Sequence, residues 1–279
     1  MPKPKTVVLS GYGINCERET NYACQLAGAD SEIVHINELL LGKKSLQDYH
    51  MLVFPGGFSW GDDHGAGVLE AAKFREHLGE DLQEFIGDEK RVLGICNGFQ
   101  TLVNRGLLPA TEDYKTRSVA LAANDCGNFR DQWVHLSVTD NSPCVFTKGI
   151  SYIALPVRHA EGKFLTMDKA LLERLVANKQ IVMQYAAGRS SRYMLAGEEF
   201  PENPNGSVHD IAGICDPTGR VFGLMPHPEA FNHYTNHPQW TARREIYKRH
   251  GILFPLEGKT EGAGIQIFRN AVKYLEQRL

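Results

Sequence analysis

The sequence predicts an α/β fold built on an open, mostly parallel central sheet. The first observation is a unit of strand, helix and strand at residues 6–10, 17–26 and 31–36, with Gly28 ending the helix. Because the crossover between two such strands is almost always right-handed and leaves them parallel, this unit begins a parallel sheet. The second observation is a pair of apolar runs around Asp216-Pro-Thr-Gly219, which is typical of a hairpin and adds antiparallel strands.

The rest of the chain continues this alternation. Residues 51–54 form a third apolar run, residues 68–86 are amphipathic, and a fourth run at 91–95 precedes Cys96. The remaining predicted segments are strands at 133–145 (interrupted by Pro143), 151–156, 181–185, 211–215 and 221–225, helices at 169–178 and 264–277, and a long loop at 188–207. Without an internal repeat or a linker, the sequence predicts a single domain over residues 1–279.

The composition is that of an ordinary soluble protein and argues against several functions. The chain has 279 residues, of which 42% are hydrophobic and 23% charged, with a formal net charge of −3. Lys and Arg are dispersed, so no nucleic-acid-binding surface is indicated, and no apolar run is long enough to span a bilayer. The six cysteines are scattered without a Cys-x-x-Cys pair and no signal peptide is recognisable, so we expect a reduced, cytoplasmic protein.

A cysteine at a sharp turn is the first candidate for a reactive residue. The strand at 91–95 runs into Gly94-Ile-Cys-Asn-Gly98, after which apolar residues recur at helical spacing. The glycines two positions before and after Cys96 let two backbones approach each other, as such a corner requires. A thiol at this corner lies at the positive end of a helix, which favours the thiolate. The alternative is a buried structural cysteine beside two packing glycines, and the pentapeptide alone does not decide between them.

A glycine-rich loop follows the third strand. It runs from Pro55 to Gly67 and contains five glycines. Its backbone N–H groups are suited to approach a ligand, and open parallel sheets bind ligands at the carboxyl ends of their strands. The alternative is a flexible connector, but the Cys96 corner on the next strand favours a binding loop.

Pro226-His-Pro-Glu229 places a base and an orienting acid within four residues. A cysteine nucleophile needs such a pair. The two prolines keep the segment extended, so side chains two residues apart point the same way and Glu229 is able to accept the Nδ1–H of His227. Because His227 follows the strand at 221–225, we expect it at the same sheet edge as Cys96. A proline-stiffened turn with an incidental histidine is the alternative.

Two kinds of cofactor site are not indicated. The spacing of His227, His233 and His237 matches no zinc motif, and no cysteine lies close to them in the sequence, so no metal site is predicted. There is also no Gly-x-x-x-x-Gly-Lys-Ser/Thr loop, so no ATP site is predicted in this chain.

Taken together, three motifs resemble the class I glutamine amidotransferases. In chain order they are Phe54-Pro-Gly-Gly-Phe58, Gly94-Ile-Cys-Asn-Gly-Phe-Gln100 and Pro226-His-Pro-Glu229. Finer features resemble the members of this family that are glutaminase subunits in purine biosynthesis, and these lie at residues 15–20, 58–62, 158–162, 203–208 and 210–215. The likeness covers residues from about 6 to 229. It implies a flavodoxin-like sheet with helices on both faces.

The resemblance also implies roles for individual residues. Cys96 would attack the side-chain amide carbon of glutamine, and His227, oriented by Glu229, would protonate the leaving ammonia and then activate water. The remaining residues with implied roles are Asn97 and the Gly57–Phe58 loop as oxyanion donors, Gln100 as a ligand of the amino-acid end of glutamine, and Arg158, His159 and Glu161 either in the pocket or at a partner interface.

The same resemblance implies partners. Ammonia would pass through a protein tunnel to a synthetase that binds formylglycinamide ribonucleotide and that would carry ATP and magnesium, and a small third subunit is expected. The isolated chain should have little activity, because coupling to the partner completes the oxyanion hole. Two segments depart from the family pattern, a C-terminal extension at about 230–279 and a longer loop at 189–202, and both bear on the partner interface rather than on hydrolysis.

Two other functions stay open at this point. One is a different cysteine hydrolase on the same turn, such as a peptidase-like protein or an esterase, which would act on acyl substrates other than glutamine. The other is a non-catalytic regulatory subunit, for which replacement of Cys96 would leave the activity of the complex intact.

Overall fold

The strands and helices follow the predicted alternation closely. The computed structural model of the protein describes residues 2–187, 194–197, 199–250 and 260–279. The strands in these ranges are β1 (Lys5–Ser10), β2 (Asp30–His35), β3 (Met51–Phe54), β4 (Arg91–Ile95), β5 (Val119–Ala123), β6 (Arg130–Val138), β7 (Tyr152–His159), β8 (Glu161–Thr166), β9 (Ile181–Ala187), β10 (Met194–Leu195), β11 (Ile211–Cys215) and β12 (Val221–Leu224). The α-helices are α1 (Glu17–Leu26), α2 (Ile36–Leu40), α3 (Val68–His77), α4 (Gly79–Gly87), α5 (Asn97–Arg105), α6 (Lys169–Ala177), α7 (Trp240–Arg249) and α8 (Ile265–Glu276).

The main sheet has a parallel part and an antiparallel part. Its order is β2-β1-β3-β4-β12-β11-β9-β6-β7, with β10 paired to β9. Strands β2, β1, β3, β4 and β12 pair in parallel, whereas β11, β9, β6 and β7 pair antiparallel. The predicted parallel sheet with an antiparallel addition is therefore confirmed. The addition is larger than the one predicted hairpin, and β5 and β8 form a separate antiparallel pair.

The middle of the parallel part is buried throughout. Every residue of β3, β4 and β12 is buried. Strands covered on both faces have continuous apolar runs rather than alternation, which is why short apolar segments were sufficient to identify them. Because β4 lies between β3 and β12, the loops after these three strands converge at one edge of the sheet.

Two predicted segments have different bounds in the structure. The single helix predicted at 68–86 is two helices, α3 and α4, which are separated at Leu78 (φ −127°, ψ 18°), next to the poor helix former Gly79. The strand predicted at 133–145 is β6, which ends at Val138, before the positive φ of Asn141 and the proline that follows it. Of the loop predicted at 188–207, residues 188–193 and 198 lie outside the described residues, and β10 occupies part of the remainder.

The C-terminal segment contributes to the core. Helix α8 buries Ile265, Ile267, Phe268, Ala271, Val272 and Leu275. The N–H of Gly264 bonds to the carbonyl of Phe231, and a Cβ on Gly264 would overlap the carbonyl oxygen of Pro228. This end of the chain thus packs directly behind the His227 segment. No helix in the described ranges has the length and apolar character needed to cross a membrane.

Candidate active site

Cys96 lies on a strained turn between β4 and α5. Its backbone has φ 51° and ψ −106°, a conformation that non-glycine residues rarely adopt. The neighbouring glycines are sterically required, as the sequence predicted. A Cβ on Gly94 would lie 2.6 Å from Leu102 Cδ1, and a Cβ on Gly98 would overlap the carbonyl oxygen of Phe54. Close packing of β3, β4 and α5 therefore holds the thiol at the strand end.

The Cys96 thiol opens onto a small cavity. Its Sγ lies 3.6 Å from the carbonyl oxygen of Arg158, to which it is able to donate a hydrogen bond. The cavity has a volume of about 320 Å³. It is lined by Asn15, Cys16, Glu19, Gly57, Phe58, Cys96, Phe129, Arg158 and His227. Three of the predicted segments, the thiol turn, the glycine-rich loop and the histidine segment, thus meet around one space.

His227 and Glu229 form a buried hydrogen-bonded pair. His227 Nδ1 lies 2.5 Å from Glu229 Oε1, and the two side chains are 2% and 0% exposed. The N–H of His227 donates to the carbonyl of Pro156 at 2.8 Å, which ties the segment to β7. His227 itself is extended (φ −105°, ψ 91°), as predicted, whereas Pro228–Ala230 form a 3-10 turn that brings the carboxylate back to the ring.

The environment of His227 favours its charged form. Burial opposes the charge, but the carboxylate of Glu229 and the thiols of Cys96 and Cys16 together raise the pKa of His227 well above its usual value. Its Nε2 has no hydrogen-bond partner among the described residues. Because Glu229 holds Nδ1, this free nitrogen is the one available to exchange a proton.

The candidate oxyanion donors differ in availability. Asn97 is the first residue of α5, so its N–H has no acceptor within the helix. The N–H of Phe58 donates to the carbonyl of Gly13 at 3.0 Å and is occupied. Gly57 has φ 153° and is confined, since a Cβ there would lie 2.7 Å from Ile14 Cα. A donor from this loop must therefore be the Gly57 N–H or a Phe58 N–H freed by rotation of the peptide.

Polar side chains beside the thiol turn form a connected network. The Nδ2 of Asn97 donates to Asp62 Oδ1 and to Gln100 Oε1, both at 3.2 Å. Gln100 Nε2 donates to the carbonyl of Glu161 at 2.5 Å, and Glu161 Oε2 accepts from the N–H of Ala66 at 3.2 Å. Neither Asp62 nor Glu161 has an ion-pair partner in the described part of the chain. Two unpaired carboxylates here suit a cationic group.

Asp62 is a residue that the sequence prediction left out of the site. Burial, together with the charge of Glu161, raises the pKa of Asp62 to about 6. It belongs to the 58–62 motif that suggested the resemblance, but no property of an aspartate in a glycine-rich loop distinguishes it from a solvated one. Only the contact with Asn97 reveals its position.

Arg158, His159 and Glu161 do not share a role. The carbonyl of Arg158 faces the Cys96 thiol, while its side chain is largely exposed and 3.9 Å from Asp131. His159 is buried behind the site, with Nδ1 3.2 Å from Asn124 Oδ1. Burial and the charge of His227 lower the pKa of His159 to about 3, so it is neutral. Of the three, Glu161 is the one that joins the polar network.

Cys16 is a second thiol at the site that the sequence prediction did not single out. It is the residue before α1, is 8% exposed and lines the same cavity as Cys96. A Cβ on Gly56 would lie 3.2 Å from Cys16 Sγ and 2.6 Å from His227 Cε1, so thiol and ring flank the same glycine. The sequence carried no signal for this contact, because residues 16 and 227 meet only in the folded sheet.

The chain is similar to known proteins over nearly its whole length. Residues 3–275 match the CobB/CobQ-like glutamine amidotransferase domain. The chain is 49% identical to the phosphoribosylformylglycinamidine synthase subunit PurQ of Methanococcus maripaludis strain C7 over 276 residues, 98% of each chain. It is 42% identical to the subunit of the same name from Dehalococcoides mccartyi, covering 99% of this chain and 100% of that one.

A solved structure has the same fold. A chain in the structure of PurLQS from Thermotoga maritima matches with a TM-score of 0.69 and 27% identity, covering 98% of this chain and 100% of that chain. The family match over residues 3–275 and the match to the Methanococcus relative both include the C-terminal segment as well as the three motifs. The chain belongs to the CobB/CobQ-like glutamine amidotransferase family, as the motifs predicted.

Proposed function

We propose that this chain is the glutaminase subunit of a phosphoribosylformylglycinamidine synthase. It hydrolyses L-glutamine to glutamate and ammonia and delivers the ammonia to a separate synthetase subunit. The observation that carries the proposal is one cavity shared by a cysteine on a strained turn and a buried His–Glu pair. Two relatives that are 49% and 42% identical to this chain are named phosphoribosylformylglycinamidine synthase subunit PurQ, which supports the proposal.

Binding of glutamine uses the polar network beside the thiol. The α-ammonium group of the substrate is placed near the unpaired carboxylates of Asp62 and Glu161, and Gln100 helps to orient the amino-acid end. A cation at this point offsets the burial and the charge of Glu161, which together raise the pKa of Asp62. The side-chain amide then extends towards Cys96, whose position on the strand end is fixed.

Hydrolysis proceeds through a thioester. The sulfur of Cys96 attacks the amide carbon, and the resulting oxyanion accepts hydrogen bonds from Asn97 N–H and from the Gly57–Phe58 loop. Nε2 of His227 gives its proton to the leaving nitrogen, so ammonia departs and the γ-glutamyl group stays on sulfur. The neutral ring then takes a proton from water, which attacks the thioester and releases glutamate.

Activity depends on the partner. The Phe58 N–H, one of the two candidates for the second oxyanion donor, is bonded to the carbonyl of Gly13 in the structure and becomes available only when the peptide rotates. Losing one such donor typically costs ~10²–10³ in rate. We therefore propose that docking of the synthetase releases this N–H, which keeps the free subunit from wasting glutamine.

The proposed complex has further components. ATP and magnesium bind to the synthetase subunit, and a small third subunit completes the complex, which is cytoplasmic.

The test uses the assembled complex with either nitrogen donor. Formylglycinamidine ribonucleotide formation is measured with glutamine and with ammonium for the native chain, Cys96→Ala and the matched control Cys126→Ala, whose thiol does not line the cavity. We expect Cys96→Ala to lose the glutamine-dependent reaction and keep the ammonium-dependent one, with the control unchanged. Glutamine-dependent activity that survives in Cys96→Ala would refute the proposal and favour a regulatory subunit.

A further inference from the structure

The cavity contains one cluster of side chains with the donor atoms of a metal site. The Sγ of Cys16, a ring nitrogen of His227 and a carboxylate oxygen of Glu229 lie within 4.8 Å of one another. All three residues are buried. Among the described residues this is the only such group of three or more His, Cys, Asp or Glu ligands.

Two buried atoms of this cluster have no partner in the described ranges. They are Nε2 of His227 and Oε2 of Glu229. Buried polar atoms without a hydrogen bond are rare in proteins, because each one costs desolvation free energy that nothing offsets. Hydrolysis accounts for Nε2, since that atom exchanges the proton. It does not account for Oε2 or for a second thiol beside the same ring.

We propose that Cys16, His227 and Glu229 form a site for Zn²⁺ whose occupancy blocks the hydrolysis of glutamine. The blocking effect rests on the proposed function of His227, whereas binding of the ion does not. Sulfur, imidazole nitrogen and carboxylate oxygen are the donors that Zn²⁺ takes in proteins, with bonds of about 2.0–2.3 Å. Donors already within 4.8 Å of one another need only small side-chain shifts to reach such bonds.

The cavity supplies both a route and room for the ion. Cys16 and His227 line it, and Cys96 lies on the same surface and is a candidate fourth ligand in place of water. On binding, the Cys16 thiol and the His227 imidazolium each lose one proton to solvent, so that a thiolate and a neutral imidazole become ligands with no change of oxidation state. The ion then occupies the groups that hold and move the catalytic proton, so inhibition is reversible by a chelator.

Sequence spacing did not indicate this site. No metal site was predicted from the spacing of His227, His233 and His237, and His233 and His237 are not part of the cluster. The sulfur ligand comes from the start of α1, far from His227 in the sequence, and is held beside the ring by the bond from the Cys16 N–H to the carbonyl of Gly56, after β3.

The test uses Co²⁺ as a spectroscopic probe on the intact chain in the Cys96→Ala background. Thiolate coordination of Co²⁺ gives a charge-transfer absorption in the near ultraviolet. We expect this band in Cys96→Ala and in the matched control Cys96→Ala/Cys126→Ala, and its loss in Cys96→Ala/Cys16→Ala. Retention of the band without Cys16, or its absence from Cys96→Ala, would overturn the proposal.

A second set of measurements tests whether each variant is folded and distinguishes failure of the metal site from failure of the proposed function. Glu229→Gln in the Cys96→Ala background should also weaken Co²⁺ binding, and circular dichroism checks that each variant is folded. In the assembled complex, Zn²⁺ should abolish glutamine-dependent activity, spare ammonium-dependent activity and be reversed by a chelator. If the chain binds Co²⁺ through Cys16 but never hydrolyses glutamine, the proposed glutaminase function is wrong and the metal site remains supported.

Discussion

Replacing Glu229 by Gln tests the His–Glu pair with almost no change in shape. The substitution keeps an oxygen able to face His227 Nδ1 and removes only the negative charge. In the native chain that charge sits 2.5 Å from the ring nitrogen, with both groups buried. Because the Glu229 carboxylate is a cause of the raised pKa of His227, we expect that pKa to fall in the variant.

The expected loss can be worked from this geometry. Two unit charges separated by the 2.5 Å N–O distance attract by about 7 kcal/mol at an effective dielectric constant of ~20. Burial of both groups offsets part of that attraction, and breaking a buried pair typically costs about 3–5 kcal/mol. If that cost falls on the transition state, kcat/KM for glutamine drops by roughly 10²–10⁴-fold.

The assay is release of glutamate by the assembled complex, with ammonium-dependent synthesis as the internal standard. NMR of the His227 ring in the free chain follows its titration. The matched control is Glu173→Gln on α6, whose carboxylate is exposed and forms an i,i+4 ion pair with Lys169. A variant within threefold of the native rate, with an unmoved His227 titration, would refute the role assigned to the pair.

Three further predictions concern packing, pH and substrate binding. Gly98→Ala should lower the free energy of unfolding by about 1–3 kcal/mol, because its Cβ would overlap the Phe54 carbonyl. The control Gly87→Ala has open space around its Cβ and should not lower the free energy of unfolding. Equal denaturation curves for the two variants would contradict this prediction. Burial raises the pKa of Glu70 to about 7, so its proton stabilises the fold below pH ~4.5 and that stabilisation, up to about 3 kcal/mol, is lost as pH rises to 7. Glu70→Gln should flatten this dependence in urea titrations, and an unchanged slope would count against it. Asp62→Asn should raise KM for glutamine by roughly 10–100-fold without affecting ammonium use, because one charge-assisted hydrogen bond to the substrate ammonium group is lost. An unaltered KM would exclude Asp62 from glutamine binding.

The parts of the fold that were predictable are those whose signal is local. Strands β3, β4 and β12 are apolar throughout because both faces are covered, so their ends were found to within a residue. The break at Leu78 was missed, because the apolar pattern continues through it. Pairing of β5 with β8 was missed for another reason, since its partners are about forty residues apart and no turn marks the pair.

The residues of the candidate site also differ in whether the sequence around them carries a local signal. Cys96, His227 and Glu229 could be proposed from the sequence because their segments carry local signals, which are glycines around Cys96 and prolines around His227. Cys16 and Asp62 have no such local mark, and their positions follow from how separate loops meet at the sheet edge. His159 was a candidate by sequence, and in the structure burial lowers its pKa to about 3, so its ring is neutral.

The most direct measurement is mass spectrometry of the intact complex after treatment with 6-diazo-5-oxo-L-norleucine, a glutamine-like diazoketone. The nucleophilic sulfur forms a bond to its diazo-bearing carbon, and N₂ leaves. We expect one adduct per chain, on the peptide that contains Cys96, and protection by excess glutamine. An adduct on Cys16 or Cys126, or no adduct in a complex that uses glutamine, would contradict the claim that Cys96 is the nucleophile.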